Sequence, residues 1–201
     1  MHDALSCRPV TAMQTLKDWS ERVLGVIDGH PGSRDGTNAR RLAEALAAAT
    51  RWHGCPGARD IAGGGATAYL RMPIAHHGSR DCEILLIAWP PGHETPIHDH
   101  AGLWGLELVL DGVLEVESYT LSSQPGMRLS SEGRTVLGVG DHAAFSGPDH
   151  AHRCRNLSAQ QPALTLHVYG GALDTYRTFQ RRGAGRWASA EQRTQRAPAL
   201  A

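Results

Sequence analysis

The sequence predicts a mainly β protein, a small barrel or sandwich of antiparallel strands with helices on its N-terminal side. Three observations lead there. From Ala66 onward the chain is a series of short apolar runs separated by Gly, Pro, Asp and Ser, the texture of strands joined by tight turns. Asp111-Gly112 stands between two of these runs, a dipeptide suited to the positive φ of a two-residue hairpin turn. Twenty-three glycines and eleven prolines fit a fold rich in turns.

The elements follow in order. Leu16, Trp19, Val23, Leu24 and Ile27 recur at steps of three and four, which predicts an amphipathic helix over 11–27. Pro31-Gly32-Ser33 ends it, and the Ala- and Leu-rich stretch 38–50 reads as a second helix. Residues 54–65 read as loop. The two helices are expected to cap a sheet. Strands are predicted at 67–72, 83–89, 95–98, 106–110 and 113–120, then, after a loop at 122–126, at 135–139, 142–145, 151–155 and 164–169. Beyond Phe179 the chain carries few large apolar side chains and reads as a flexible tail. One domain is expected, with a helical cap at 1–65, a barrel at 66–179 and the tail at 180–201. No repeat of solenoid length is present.

Bulk composition narrows the function. Apolar residues make up 41% of the 201, enough for a core. Lys plus Arg equals Asp plus Glu at 20 each, which argues against nucleic-acid and membrane-surface partners, since both recruit a basic excess. No apolar run approaches the roughly 20 residues of a spanning helix, and Asp3 and Arg8 interrupt any signal-peptide pattern. The four cysteines, Cys7, Cys55, Cys82 and Cys154, include no Cys-x-x-Cys pair. Free thiols in a cytoplasmic setting are expected.

Chemistry concentrates in Pro90-Pro91-Gly92-His93-Glu94-Thr95-Pro96-Ile97-His98-Asp99-His100. Residues two apart on an extended segment point to the same side, so His98 and His100 can reach one metal ion together. Asp99 faces the other way. The pair needs a third ligand from elsewhere. Histidines cluster between His93 and His167, and a second glycine-led segment begins Gly140-Asp141-His142 and ends His150-Ala151-His152-Arg153-Cys154-Arg155-Asn156.

These two segments resemble the paired motifs of the cupin superfamily, whose small jelly-roll-like β-barrel holds a metal inside. The resemblance implies His98, His100 and His152 as metal ligands, with His150 as the rival to His152. Gly105 stands where the superfamily usually has a glutamate, so three histidines and no carboxylate are expected. A narrower resemblance joins it. Thr165-Leu166-His167-Val168-Tyr169 resembles the serine-x-histidine-x-tyrosine relay of thiol dioxygenases, the cysteine dioxygenase family, and Tyr69-Leu70-Arg71 resembles its tyrosine-x-arginine substrate clamp. The likeness runs from Tyr69 to Phe179, with the patches in the family's order.

Departures bear on the substrate. Gly105 stands where animal cysteine dioxygenases have a cysteine cross-linked to the relay tyrosine. Thr165 replaces the serine, and Gly170-Gly171 replaces Ser-Pro-Pro. Trp104-Gly105 and Tyr169-Gly170-Gly171 are more similar to bacterial 3-mercaptopropionate dioxygenases, which have glutamine where Arg71 stands.

The resemblance therefore implies an iron(II) enzyme that uses dioxygen to oxidise a small carboxylate-bearing thiol to its sulfinate. Cysteine is the first candidate, then 3-mercaptopropionate or mercaptosuccinate. Two alternatives stay open: a cupin that oxidises the thiol differently, with another divalent metal such as nickel, or a non-catalytic ligand-binding cupin. Three neutral imidazoles leave a divalent ion its full charge, which favours a thiolate and brings both reactants to one centre. Arg71 would grip the carboxylate with a two-pronged fork, beside Tyr69 and with Trp104 as a pocket wall. Tyr169 would offer its hydroxyl to the substrate, oriented by His167, itself held by Thr165. Arg71 could instead be a surface arginine paired with Asp81 or Glu83, and Arg177 reads as surface.

Overall fold

The computed structural model describes residues 12–30, 36–62, 68–77, 82–122, 126–183 and 185–198. The helix break at Pro31, the start of the strand predicted at 67–72, and Asp3, Cys7, Arg8 and Asp81 lie outside the described residues. Helices α1 (Ala12–Asp28), α2 (Gly36–Leu46) and α3 (Ala58–Ala62) come first, with a 3₁₀ turn at Ala47–Arg51. Strands β1 (Leu70–His77), β2 (Cys82–Trp89), β3 (Ile97–His98), β4 (Gly105–Asp111), β5 (Leu114–Ser122) and β6 (Arg128–Leu137) follow. The chain then forms β7 (His142–Phe145), β8 (His150–Asn156), β9 (Ala163–Tyr169), β10 (Thr175–Arg182) and β11 (Arg186–Arg193).

Two antiparallel sheets face each other, one ordered β1-β2-β9-β4-β7 and the other β11-β10-β3-β8-β5-β6. The five-stranded sheet is buried on both faces, and strand alternation sorts its side chains between them. Ile84, Leu86, Leu106, Leu108, Leu166 and Val168 turn outward and join the buried stripes of α1 (Trp19, Val23, Ile27) and α2 (Ala39, Leu42, Ala43, Leu46). Trp19 Nε1 donates to the Ala49 carbonyl at 3.0 Å, so its one polar atom is satisfied inside this layer. The helices thus cap the sheet as expected, and the opposite face is left to line the barrel.

The inward face carries the chemistry in three rows. Cross-strand partners place Ile87, Thr165 and Val109 in one row and Leu85, His167 and Glu107 in the next. The third row holds Glu83, Tyr169, Gly105 and Phe145. Thr165, His167 and Tyr169 therefore follow one another at two-residue steps along β9.

Three expectations change. Asp111-Gly112 makes no hairpin, because β4 pairs with β7 and β9 whereas β5 pairs with β6 and β8. The turn carries the chain from one sheet to the other. Gly112 has φ +82° there, and a Cβ would sit 2.7 Å from that of Ala163, so close packing as well as turn geometry requires glycine. Asp111 Oδ2 instead accepts the Ala58 amide at 2.8 Å, tying down α3 within the stretch expected to be loop.

The segment expected to be a loose tail is ordered. Strands β10 and β11 pair along their lengths, and β10 pairs with β3 through Thr178 and His98. Arg196 then binds the buried Glu83, with Nη2 2.9 Å from Oε2, and the Ala197 amide reaches the Arg71 carbonyl at 2.8 Å. Backbone pairing and the ion pairs of Arg196 with Glu83 and Asp174 hold this segment, neither of which a count of apolar residues registers. Among the described residues no helix is long and apolar enough to cross a membrane.

Candidate metal centre and active site

Strands β3 and β8 pair with His98 opposite His152, and the turn after β3 brings in His100. All three are buried, at 6%, 3% and 2% exposure. Their ring centroids lie 4.7–5.1 Å apart, and one nitrogen from each falls within 4.8 Å of the others. His98 Nδ1 lies 2.9 Å from the Pro96 carbonyl, which accepts its proton and leaves Nε2 as the free donor atom. Both ring nitrogens of His100 are buried with no hydrogen-bond partner among the described residues. A buried imidazole in that state calls for a ligand.

Burial holds His98 neutral, down to about 4, and keeps His100 and His152 well below the ordinary value. Neutral imidazoles are the form a cation binds. The donor set therefore fits a divalent metal. His150 stacks on Phe145 at 5.1 Å and lies outside this group. Asp99 turns the other way, where its carboxylate takes the Arg177 amide at 2.8 Å and Nε at 2.7 Å.

The inner face of β9 carries a continuous hydrogen-bond chain. Trp89 Nε1 donates to Thr165 Oγ1 at 2.8 Å. Thr165 Oγ1 lies 2.8 Å from His167 Nε2 and 3.5 Å from the Ile87 carbonyl, and His167 Nδ1 lies 3.1 Å from the Tyr169 oxygen. In the tautomer protonated at Nδ1 the ring donates to Tyr169, whose O–H is then free to donate elsewhere. Burial raises the Tyr169 hydroxyl well above its ordinary value and lowers His167 to about 3. Tyr169 stacks 5.4 Å from His100, so the chain ends at the histidine cluster.

Arg71 sits on the inward side of β1, opposite Ile87. Its Nε donates to the Tyr69 hydroxyl at 3.3 Å, and its guanidinium lies between the Tyr69 and Tyr176 rings at 5.4 and 5.3 Å. Glu83, the surface partner considered for it, belongs to Arg196. Among the described residues no carboxylate pairs with Arg71. It opens onto a cavity of ≈ 310 Å³ lined by Tyr69, His93, His98, Tyr176 and Gln192.

Trp104 is placed elsewhere. It belongs to the helix-side layer, and its indole lies against Gly170, where a Cβ would meet Nε1 at 2.0 Å. It is therefore not a wall of this cavity, and the Trp104 and Gly170 pair is a packing feature of the outer face. Gly105 faces inward, and a Cβ there would come within 2.4 Å of the Phe145 ring. Phe145, stacked 4.2 Å from His100, fills the space a glutamate or cysteine side chain would use.

Sequence reading missed Trp89, Tyr176 and Glu107. Alternation along β2 could have found Trp89, which shares a face with Leu85 and Ile87. No local signal marks Tyr176, because only the pairing of β10 with β3 brings it to Arg71. Glu107 is completely buried, with Cys154 Sγ 3.6 Å and His152 Nδ1 3.8 Å away. Burial raises Glu107 to about 7, and burial together with Glu107 raises Cys154 well above its ordinary value.

The cysteine dioxygenase type 1 of Danio rerio is 29% identical over 113 residues, 54% of this chain and 55% of that protein. The Homo sapiens enzyme of that name is 25% identical over 109 residues, 54% of each. The chain thus spans about half the length of the curated relatives it matches. A solved sugar phosphate isomerase of the cupin superfamily from Silicibacter pomeroyi is 20% identical, with a TM-score of 0.42 over 71% of this chain and 85% of that one. The family model described as cysteine dioxygenase type I matches residues 65–182, which hold the histidine cluster, the β9 chain and Arg71, and the chain belongs to that family.

Proposed function

We propose that this protein is an iron(II) thiol dioxygenase that converts a small carboxylate-bearing thiol to its sulfinate with dioxygen. Cysteine is the first candidate substrate, with 3-mercaptopropionate and mercaptosuccinate next. The observation that carries the reading is His100, buried with two unpartnered nitrogens beside His98 and His152, in a barrel whose cavity is also lined by a half-buried arginine, Arg71, with no acid partner among the described residues. His98, His100 and His152 would hold the metal. When bound, iron(II) supplies a Lewis acid that favours the thiolate and a centre where thiol and dioxygen meet.

The remaining work falls to the protein. Arg71 binds the substrate carboxylate in two-pronged fashion, a charge-assisted contact worth roughly 1.5–3 kcal/mol. The Tyr69 and Tyr176 rings flank the guanidinium and fix its plane. Trp89, Thr165 and His167 hold Tyr169 so that its proton points to the substrate, and its raised pKa keeps that proton in place at neutral pH. Phe145 and Leu85 keep the interior apolar around the reacting groups. The reaction is assigned to the cytosol, where the thiols of Cys55 and Cys154 stay reduced.

Oxygen uptake by protein loaded anaerobically with ferrous iron tests the proposal. The panel is cysteine, 3-mercaptopropionate, mercaptosuccinate, homocysteine and cysteamine, with products identified by mass. A gain of two oxygen atoms on one carboxylate thiol is expected. Iron binding with no uptake on any of them would sink the dioxygenase reading. His152→Ala should lose the metal and His150→Ala keep it; the reverse result would reassign the third ligand.

A further inference from the structure

Glu107 lies two residues beyond Gly105 on the same inward face of β4, and it has no place in the chemistry described so far. It is 0% exposed. No backbone amide, arginine or lysine reaches it among the described residues. Its contacts are the Cys154 thiol, 3.6 Å from Oε2, and His152 Nδ1, 3.8 Å from Oε1. His167 is its cross-strand neighbour, but both nitrogens of that ring are taken by Thr165 and Tyr169. A buried carboxylate needs donors, and the donors within reach are the thiol and the His152 ring.

His152 has the complementary need. A ligating imidazole places its second N–H on an acceptor, which fixes tautomer and ring orientation. His98 has the Pro96 carbonyl for that purpose. Around His152 Nδ1 lie Glu107 Oε1 at 3.8 Å and Cys154 Sγ at 3.9 Å, and of the two the carboxylate is the stronger acceptor.

We propose that Glu107 is the positioning residue of His152: its carboxylate accepts the Nδ1–H of that ring, so that Nε2 faces His98 and His100. Cys154 donates its S–H to the other carboxylate oxygen and keeps Glu107 from turning away. A carboxylate behind the ring makes the imidazole a stronger donor. Through a histidine it returns part of the negative charge that the site lacks because Gly105 carries no side chain. This assignment rests on the metal-centre reading above.

The test is metal binding by the full chain, read by chelator competition and by the visible absorption of cobalt(II), with no turnover involved. Wild type is expected to bind one equivalent. Glu107→Leu should weaken binding by roughly 10–100-fold and shift the cobalt bands. Glu107→Gln keeps an acceptor oxygen and the shape, and should lose less while shifting the bands in the same direction. Cys154→Ala takes one donor from Glu107 but leaves the carboxylate, so it should weaken binding less than Glu107→Leu does. Should Glu107→Leu fail to fold, the Gln variant carries the test, its folding checked by circular dichroism.

Wild-type affinity and spectrum in both Glu107 variants would overturn the proposal. Two equivalents in wild type, with one lost in Glu107→Leu and in Cys154→Ala, would overturn it by making Glu107 a ligand of a second ion. No binding in wild type would instead remove the metal centre itself, a different failure from the first two.

Discussion

Gly105 shows how one position limits what this site can contain. Any β-carbon there collides with Phe145, and Phe145 cannot retreat without disturbing the ring of His100 stacked on it. Gly105→Ala is therefore expected to cost about 1–3 kcal/mol by overpacking and to weaken metal binding along with it. Phe145→Leu in the same chain should recover part of both, as read by urea midpoints and metal titration. Arg71 makes a second residue-scale prediction. Arg71→Lys keeps the charge but loses the planar fork, so KM for the carboxylate thiol should rise roughly tenfold or more while metal content stays the same. An unchanged KM across the panel would remove Arg71 from the clamp.

Among the elements, the hairpin of β10 and β11 determines the entrance. It delivers Tyr176 to one side of Arg71 and Gln192 to the cavity wall, and Arg196 fastens the chain beyond it to Glu83 and Asp174. Glu83 is 1% exposed, so removing its guanidinium leaves a buried carboxylate with fewer donors. Arg196→Met should cost about 1–3 kcal/mol and raise KM, because the wall beside Arg71 loosens. Wild-type urea stability in that variant would mean the hairpin holds by backbone pairing alone. The two-residue strand β3 depends on the same hairpin, since its outer neighbour is β10.

Over the whole molecule, burial of histidines sets the acid response of the metal-free chain. His167 is held at about 3 against an ordinary 6.5, and His98 at about 4. The unfolded chain takes up these protons first, so stability declines as pH falls from about 6.5 towards those values. Glu107 acts in the opposite sense. Its folded value of about 7 lies above the ordinary 4.5, so it contributes stability at low pH that is lost as pH rises through about 7. Several histidines oppose one glutamate, and the urea midpoint should fall from pH 7 to pH 4. Glu107→Gln should make that fall steeper, because the opposing contribution is gone. A flat profile in the wild type would mean the buried rings are charged or solvated.

What the sequence determined by itself is local. His98 and His100, then Thr165, His167 and Tyr169, share a strand face because alternation along a strand needs only the strand. The spacing of glycines and histidines marked the β8 segment in the same way. The helix stripe at Trp19, Val23 and Ile27 was equally legible. Tertiary structure decided the rest, because which sheet a strand joins depends on partners far along the chain. That is why Asp111-Gly112 crosses between sheets, why Trp104 faces the helices, and why a charged, apolar-poor segment after Phe179 becomes the cavity wall. It is also why Glu107, one polar residue in an apolar strand, ends beside His152: the register of β4 against β9 and the facing position of β8 put it there, and neither is written in the residues around it.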